Sequence, residues 1–229
     1  MNLIINWVKL NPCLAIFWKD VMYEIRSRDT LVSVLVFSLL VIVVFNFGIS
    51  PNPKNVALFA PGILWIAFIF GGVLGFTRTF AIEKENNALN GLLLTPVSRD
   101  AIYFGKVLST FTFMMVVEII TFPIFAVIYN LPIFPPEFIP IALLSTLGIS
   151  AVGPLFAAMA MKTKAREVML PLLFLPVIVP VLVASIEAST PALVGGPWSD
   201  VSMWLPIIAA FDVVFLIVCS IGFGYVIQD

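Results

Sequence analysis

All but one of the twelve Lys and Arg residues fall in three clusters, and apolar runs long enough to cross a bilayer separate those clusters. Lys9, Lys19, Arg26 and Arg28 precede the first run. Arg78, Lys84, Arg99 and Lys106 lie between the second and third, and Lys162, Lys164 and Arg166 between the fourth and fifth. Lys54 alone sits in an intervening connection. Translocated loops are poor in positive charge, so this alternation predicts six spans with both termini cytoplasmic. The expected spans are 31–49, 57–79, 101–129, 138–161, 168–188 and 202–226. At 1.5 Å per residue, about 20 residues cross a hydrocarbon core of about 30 Å. With 61% hydrophobic and 11% charged residues in 229, a water-soluble fold could not cover the apolar surface. The expected fold class is an all-α integral membrane protein with one transmembrane domain over 1–229.

A net charge of −1, with basic clusters already explained by topology, argues against nucleic acid. No secretory signal peptide is expected, because the first long apolar run starts near Leu31 without a small-residue cleavage site. Cys13 and Cys219 are expected as reduced thiols. The chain has no histidine, which removes the usual acid–base group, the commonest metal ligand and the usual haem ligand. No catalytic residue and no metal site are expected. Any haem handled here needs ligands from another protein, or weak ones from Met or Tyr. Gly105-Lys106 is followed by Val107 and lacks the upstream glycine of a phosphate-binding loop, so ATP hydrolysis would belong to a separate chain.

Asn11-Pro12 reads as an N-cap with proline at the first helical position. Leu14, Phe17, Trp18, Val21 and Ile25 then share one helical face. This predicts an interfacial helix over 12–29 with Trp18 at headgroup depth, carrying Lys19, Asp20, Glu24 and Arg26. The bland alternative is a short soluble cap. The third span is too long for a straight crossing and contains Glu118, Thr121 and Pro123, so a break near Pro123 with a re-entrant outer segment is expected. Pro171, Pro176 and Pro180 interrupt the fifth span and Gly153-Pro154 the fourth. Such positions persist in lipid only where neighbours satisfy the freed backbone groups, so spans three to five should pack inside a bundle or oligomer. Gly71 and Gly75, and likewise Gly153 and Ala157, are small-residue steps that make candidate contacts for a second copy. The outer connections, 50–56, 130–137 and 189–201, are short and Pro-rich.

The longest internal connection runs from Phe80 to Lys106. Ala81, Ala88 and Leu92 recur at helical spacing, as do Ile82, Leu89 and Leu93, while Glu83, Lys84, Glu85, Asn86 and Asn87 cover the other face. Thr95-Pro96 ends the pattern. Ser98 can cap the third span, with Asp100 in its first turn at the positive end of the helix dipole. The reading is a short amphipathic helix between two spans, presenting acids and amides to the cytosol. The alternative is a solvated turn.

The pattern E-x-E-N…G-L-L-L-x-P-V-S-R-x-x-I-Y-x-G-K in this connection resembles the coupling segment of type-2 ATP-binding-cassette permeases. The chain as a whole is similar to the haem exporter protein B family of cytochrome c maturation. The similarity is carried by KDVMYEIRSRDTL (Lys19–Leu31), LFAPGILWIAF (Leu58–Phe68), KTKAREVMLPLLFLPVIVPVL (Lys162–Leu182), SIEA (Ser185–Ala188) and AFDVVFL (Ala210–Leu216). At Lys84, Asn87 and Ser98 the chain departs from the family's usual residues.

What this resemblance implies is a permease subunit with no chemistry of its own. ATP would be bound by a cytoplasmic ATPase dimer, the A subunit, acting on two permeases or a permease assembly. Its stroke would enter through Glu83, Glu85, Asn86, Leu89, Gly91, Leu92, Leu93, Pro96 and Arg99, and through the interfacial helix. Membrane subunits C and D and the haem chaperone E complete the implied set of partners, with haem carried by partner proteins and loaded chaperone released at the outer face. No cofactor is expected on this chain itself.

Glu118 and Asp212 each lie about 15 Å from the outer end of their spans, at one level, and Glu187 closes the fifth span. No Lys or Arg shares that depth, and ionised carboxylates there are costly. The expectation is that Glu118 and Asp212 face each other, sharing a proton at the moving element. A plain interhelical hydrogen bond is the alternative. Two other functions stay open at this point. One is a proton-driven secondary transporter using the two acids, and the other is a purely structural anchoring subunit.

Overall fold

The computed structural model describes residues 11–48, 53–85, 97–133, 135–163 and 165–227. Helix α1 covers Pro12–Ser27, α2 Asp29–Gly48, α3 Pro53–Glu85 and α4 Arg99–Tyr129. They are followed by α5 at Phe138–Met161, α6 at Arg166–Val194, a short α7 at Trp198–Ser202, and α8 at Leu205–Val226. No strand occurs among the described residues. Among the described residues, six stretches are long and apolar enough to cross a membrane: α2 to α6, and the α7–α8 unit.

The bundle is organised around α5. Its sequence is rich in small residues (Ser145, Gly148, Ser150, Ala151, Gly153, Ala157), which let neighbouring backbones approach closely. It packs against α3, α4, α6 and α8. A helix apolar on every side belongs in the interior. By contrast α2 and α8 sit outermost, with Val36, Leu40, Val44 and Phe47 of α2 and Val214, Ile217, Val218 and Ile221 of α8 exposed. In a bilayer such faces meet lipid.

Several sequence expectations change here. The third span does not break: α4 runs through Pro123 to Tyr129 and ends on a left-handed Asn130. Its outer half is held by aromatic packing, with Phe122 stacked on Phe138 at 4.5 Å and Phe125 tilted against Tyr129 at 4.8 Å. Losing one amide donor at proline does not undo that packing. The fifth span runs past residue 188, through Pro191, to Val194, where Gly195 takes φ +73 and its N–H bonds Pro191 O. Glycine is the residue that adopts that left-handed cap most readily. Most of the expected 189–201 loop is therefore helical, since α7 follows at once. The glycine steps are internal as well. A side chain at Gly71 would meet Ser38 and Val34 of α2, one at Gly75 would meet Phe113 of α4, and one at Gly153 would meet Phe76 of α3. These positions close contacts within the chain, so they do not form a face for a second copy.

Several polar groups inside the bundle find partners across helices. Trp65 Nε1 donates to Ser189 Oγ at 2.9 Å, and Tyr103 OH donates to the Ala151 carbonyl at 2.8 Å. Ser145 and Ser185 share a 2.5 Å hydrogen bond between α5 and α6. Without water, each bond satisfies a group that would otherwise be costly to bury.

Candidate functional site

The end of the bundle that carries α1 also carries the end of α3, the start of α4 and the end of α8. Pro12 occupies the first turn of α1 after an extended Asn11, whose side chain makes no capping bond. The inward face of α1 is not the expected apolar stripe. Ile16 is buried, and Cys13 Cα-side backbone and Ile16 lie so close to α4 that a side chain at Gly105 would meet Ile16 at 2.9 Å and the Cys13 carbonyl at 3.0 Å. Glycine at 105 is what permits this crossing. Next along the same face comes Asp20. Trp18, Met22 and Ile25 are exposed, as are Lys19 and Arg26.

Asp20 meets Lys106, which lies about two turns into α4 and is only 1% exposed. Lys106 Nζ is 2.9 Å from Asp20 Oδ2, Lys19 Nζ is 2.9 Å from Oδ1, and Ser109 Oγ donates to Oδ2 at 3.3 Å. The Lys106 ammonium also lies 5.5 Å from the Phe80 ring centre. Burial pushes the Asp20 carboxyl up, but the Lys106 and Lys19 ammonium groups outweigh it, and the net shift is downward. Glu24, one turn on, accepts from the Leu31 N–H at 2.8 Å and so caps the start of α2. Burial raises its carboxyl, with the Leu31 bond opposing. Arg28 closes α1 in the left-handed region at φ 56.

At the connector, α3 continues unbroken through Glu83 to Glu85, so the expected separate helix starts as an extension of the second span. The candidate positions Asn86, Leu89, Gly91, Leu92, Leu93 and Pro96 lie outside the described residues. Beyond them the expected cap is present: Ser98 Oγ accepts from Ala101 N at 3.3 Å, and Arg99 and Asp100 are exposed in the first turn of α4. Asp100 accepts from Ser220 of α8 at 3.0 Å, which joins the connector's end to the last helix.

The intramembrane acids do not meet. Glu118 is 3% exposed and accepts from Thr146 Oγ1 of α5 at 2.5 Å, with its second oxygen unpartnered among the described residues. Asp212 is 2% exposed, and neither of its oxygens has a hydrogen-bond partner among the described residues. It packs against Gly148, where a side chain would come within 2.5 Å of Oδ1. Thr146 and Gly148 are two residues apart on α5, hence about 200° apart around the helix. The two acids therefore occupy different sides of α5 and share no proton. Equal depth was a sound inference only for height, and height says nothing of rotation. Glu187 is exposed near the far end of α6.

Sequence reasoning missed the Asp20–Lys106 pair, having counted Lys106 only as a loop charge. A signal was present: Ile16, Asp20 and Glu24 recur every four residues, a second stripe beside the apolar one.

Six apolar spans among the described residues, one of them (α5) buried at the centre, with a charged attachment for α1, define an all-α multi-pass membrane protein. Comparison with known proteins gives the family. The sequence pattern of the family described as CcmB protein matches residues 11–228. Heme exporter protein B of Rhodobacter capsulatus is 30% identical over 174 residues, 76% of this chain and 80% of that protein. Heme exporter protein B of Pseudomonas aeruginosa is 29% identical over 189 residues, 81% and 83% of the two chains. The Escherichia coli K12 protein of that name is 31% identical over a shorter 97 residues. The chain belongs to the CcmB family.

Proposed function

We propose that this chain is the permease subunit of an ATP-binding-cassette assembly that handles haem in cytochrome c maturation, and that it is not itself an enzyme. The name its relatives carry, Heme exporter protein B, supplies the cargo. The supporting observation is the extent of the match: residues 11–228 take in α1, the connector and all six spans. In this reading the protein lies in the inner membrane with both termini cytoplasmic, and α1 rests in the cytoplasmic interface with Trp18 toward lipid. A cytoplasmic ATPase, the A subunit, binds ATP and pushes on residues 83–99. The Asp20–Lys106 pair carries the same stroke between α1 and the third span. Membrane subunits C and D and the haem chaperone E are the other partners, and haem-loaded chaperone is released outside. Haem rides on those partners in this reading, as a chain without histidine lacks the usual axial ligand. A homodimer within the complex would use a face other than Gly71 and Gly75.

The separation of Glu118 from Asp212 gives a proton relay through that pair no support. Purification in mild detergent tests the reading. An ATPase that accompanies the wild-type chain and is lost from Glu83→Ala/Glu85→Ala, with membrane insertion intact, is the expected outcome. A lone chain that transports by itself would contradict it.

A further inference from the structure

The start of α4 and the last turns of α8 form one surface. Asp100, in the first turn of α4, accepts from Ser220 of α8 at 3.0 Å. One turn further along α8, the Arg99 stem lies against Gly224, where a side chain would have Arg99 Cδ at 4.0 Å. Between the two helices is an open groove of about 550 Å³. Arg99 and Asp100 line one side, and Ser220, Ile221, Gly224 and Tyr225 the other. Arg99 is exposed, and Tyr225 is 68% exposed. Neither the guanidinium nor the phenol has a hydrogen-bond or ion-pair partner among the described residues. Asp100 is engaged with Ser220, whereas a guanidinium has five N–H donors to offer. The last three turns of α8 add no charge of their own.

We propose that the end of α8 belongs to the surface on which the ATPase docks, and that the groove receives an acidic segment of that partner. A carboxylate pairs with Arg99, and an apolar side chain packs on Tyr225. The proposal rests on the reading that an ATPase pushes on residues 83–99, and it extends that contact to a helix far along the chain. Continuity selects the occupant, because Arg99 belongs both to that stretch and to the groove. The chemistry agrees. A free guanidinium takes a carboxylate through two parallel hydrogen bonds, and Arg and Tyr are among the residues that most often carry binding energy at protein interfaces. The contact also has a mechanical consequence. Helices α4 and α8 both pack against the buried α5. A push across the groove moves the start of α4 and the end of α8 together, along the link that Asp100 and Ser220 already make.

Site-specific photo-cross-linking in membranes holding the full complex tests the contact. The cross-linking residue replaces Tyr225, Glu83, or Val214 on the exposed mid-span face of α8. ATPase adducts are expected from Glu83 and Tyr225 and none from Val214. Adducts from Glu83 with none from Tyr225, or with Tyr225 joined to lipid alone, would overturn the α8 contact and leave the ATPase reading standing. Absence of an ATPase adduct from both positions would overturn the two together. The charge is tested separately, at an exposed position that leaves the packing of the spans intact. Arg99→Glu should lower the ATPase retained on the purified chain about tenfold, and Arg99→Lys, which keeps the charge, should lose less. Retention at the wild-type level in Arg99→Glu would overturn the acidic occupant.

Discussion

Lys106 Nζ lies 2.9 Å from Asp20 Oδ2, joining a helix outside the six-span bundle to the interior of the third span. Lys106 is nearly inaccessible and the Asp20 side chain only 10% exposed, so the pair is shielded from water and salt far better than a surface ion pair. Breaking a buried pair by removing one partner leaves the other charge stranded.

Asp20→Asn should therefore destabilise the protein by about 3–5 kcal/mol and loosen α1 from α4. Asp20→Asn/Lys106→Met should recover much of that loss, because no charge is then left buried. Thermal unfolding in detergent reads the stability. Protease cleavage within α1 reads the detachment.

The pH dependence follows from the same carboxyl. Its folded pKa is lowered below the ordinary 3.8, so its contribution is present at neutral pH and is lost as pH falls through and below that value. Protease sensitivity of α1 should rise in acid below about pH 4 in the wild type. In Asp20→Asn the acid-linked step should be missing, with α1 sensitive at every pH.

Thr146 supplies the hydrogen bond that Glu118 receives at 2.5 Å, and the second carboxyl oxygen has no partner. Thr146→Val keeps the shape and deletes the donor, which should cost about 1–3 kcal/mol. Combined with Glu118→Met, the same change should cost less than alone. A double-mutant cycle on melting temperature measures the coupling.

Gly148 lets α8 approach α5 at Asp212. A methyl group there would sit 2.5 Å from Asp212 Oδ1, and 3.4 Å from Val181. Gly148→Ala should destabilise by about 1–3 kcal/mol through overpacking. Asp212→Ala in the same chain should relieve part of the clash, read again by melting temperature.

Residues differ in how far the sequence exposes their roles. Hydropathy and charge alternation reveal the six apolar helices because lipid penalises every exposed polar group, and Ser98 is visible as a cap because its hydrogen bond is local. Pro123 misleads, since a proline's local cost is outweighed by the packing of Phe122 and Phe125, which no local pattern displays. Asp20 misleads for another reason. A charge on an amphipathic helix defaults to solvent, and only the position of Lys106 on a distant helix turns it inward. Glu118 and Asp212 show the limit of depth arguments, because rotation about α5 is fixed by Thr146 and Gly148 through tertiary packing. Asn86 to Pro96 fall outside the described residues, so the coupling role assigned there rests on resemblance.

The most direct test of the coupling account is site-specific labelling at Arg99, an exposed position at the connector's end, as Arg99→Cys with Cys13→Ser and Cys219→Ser. A membrane-impermeant maleimide should label it only in inside-out vesicles, and the bound ATPase should protect it. Labelling from the outside of intact cells would contradict both the orientation and the assigned role.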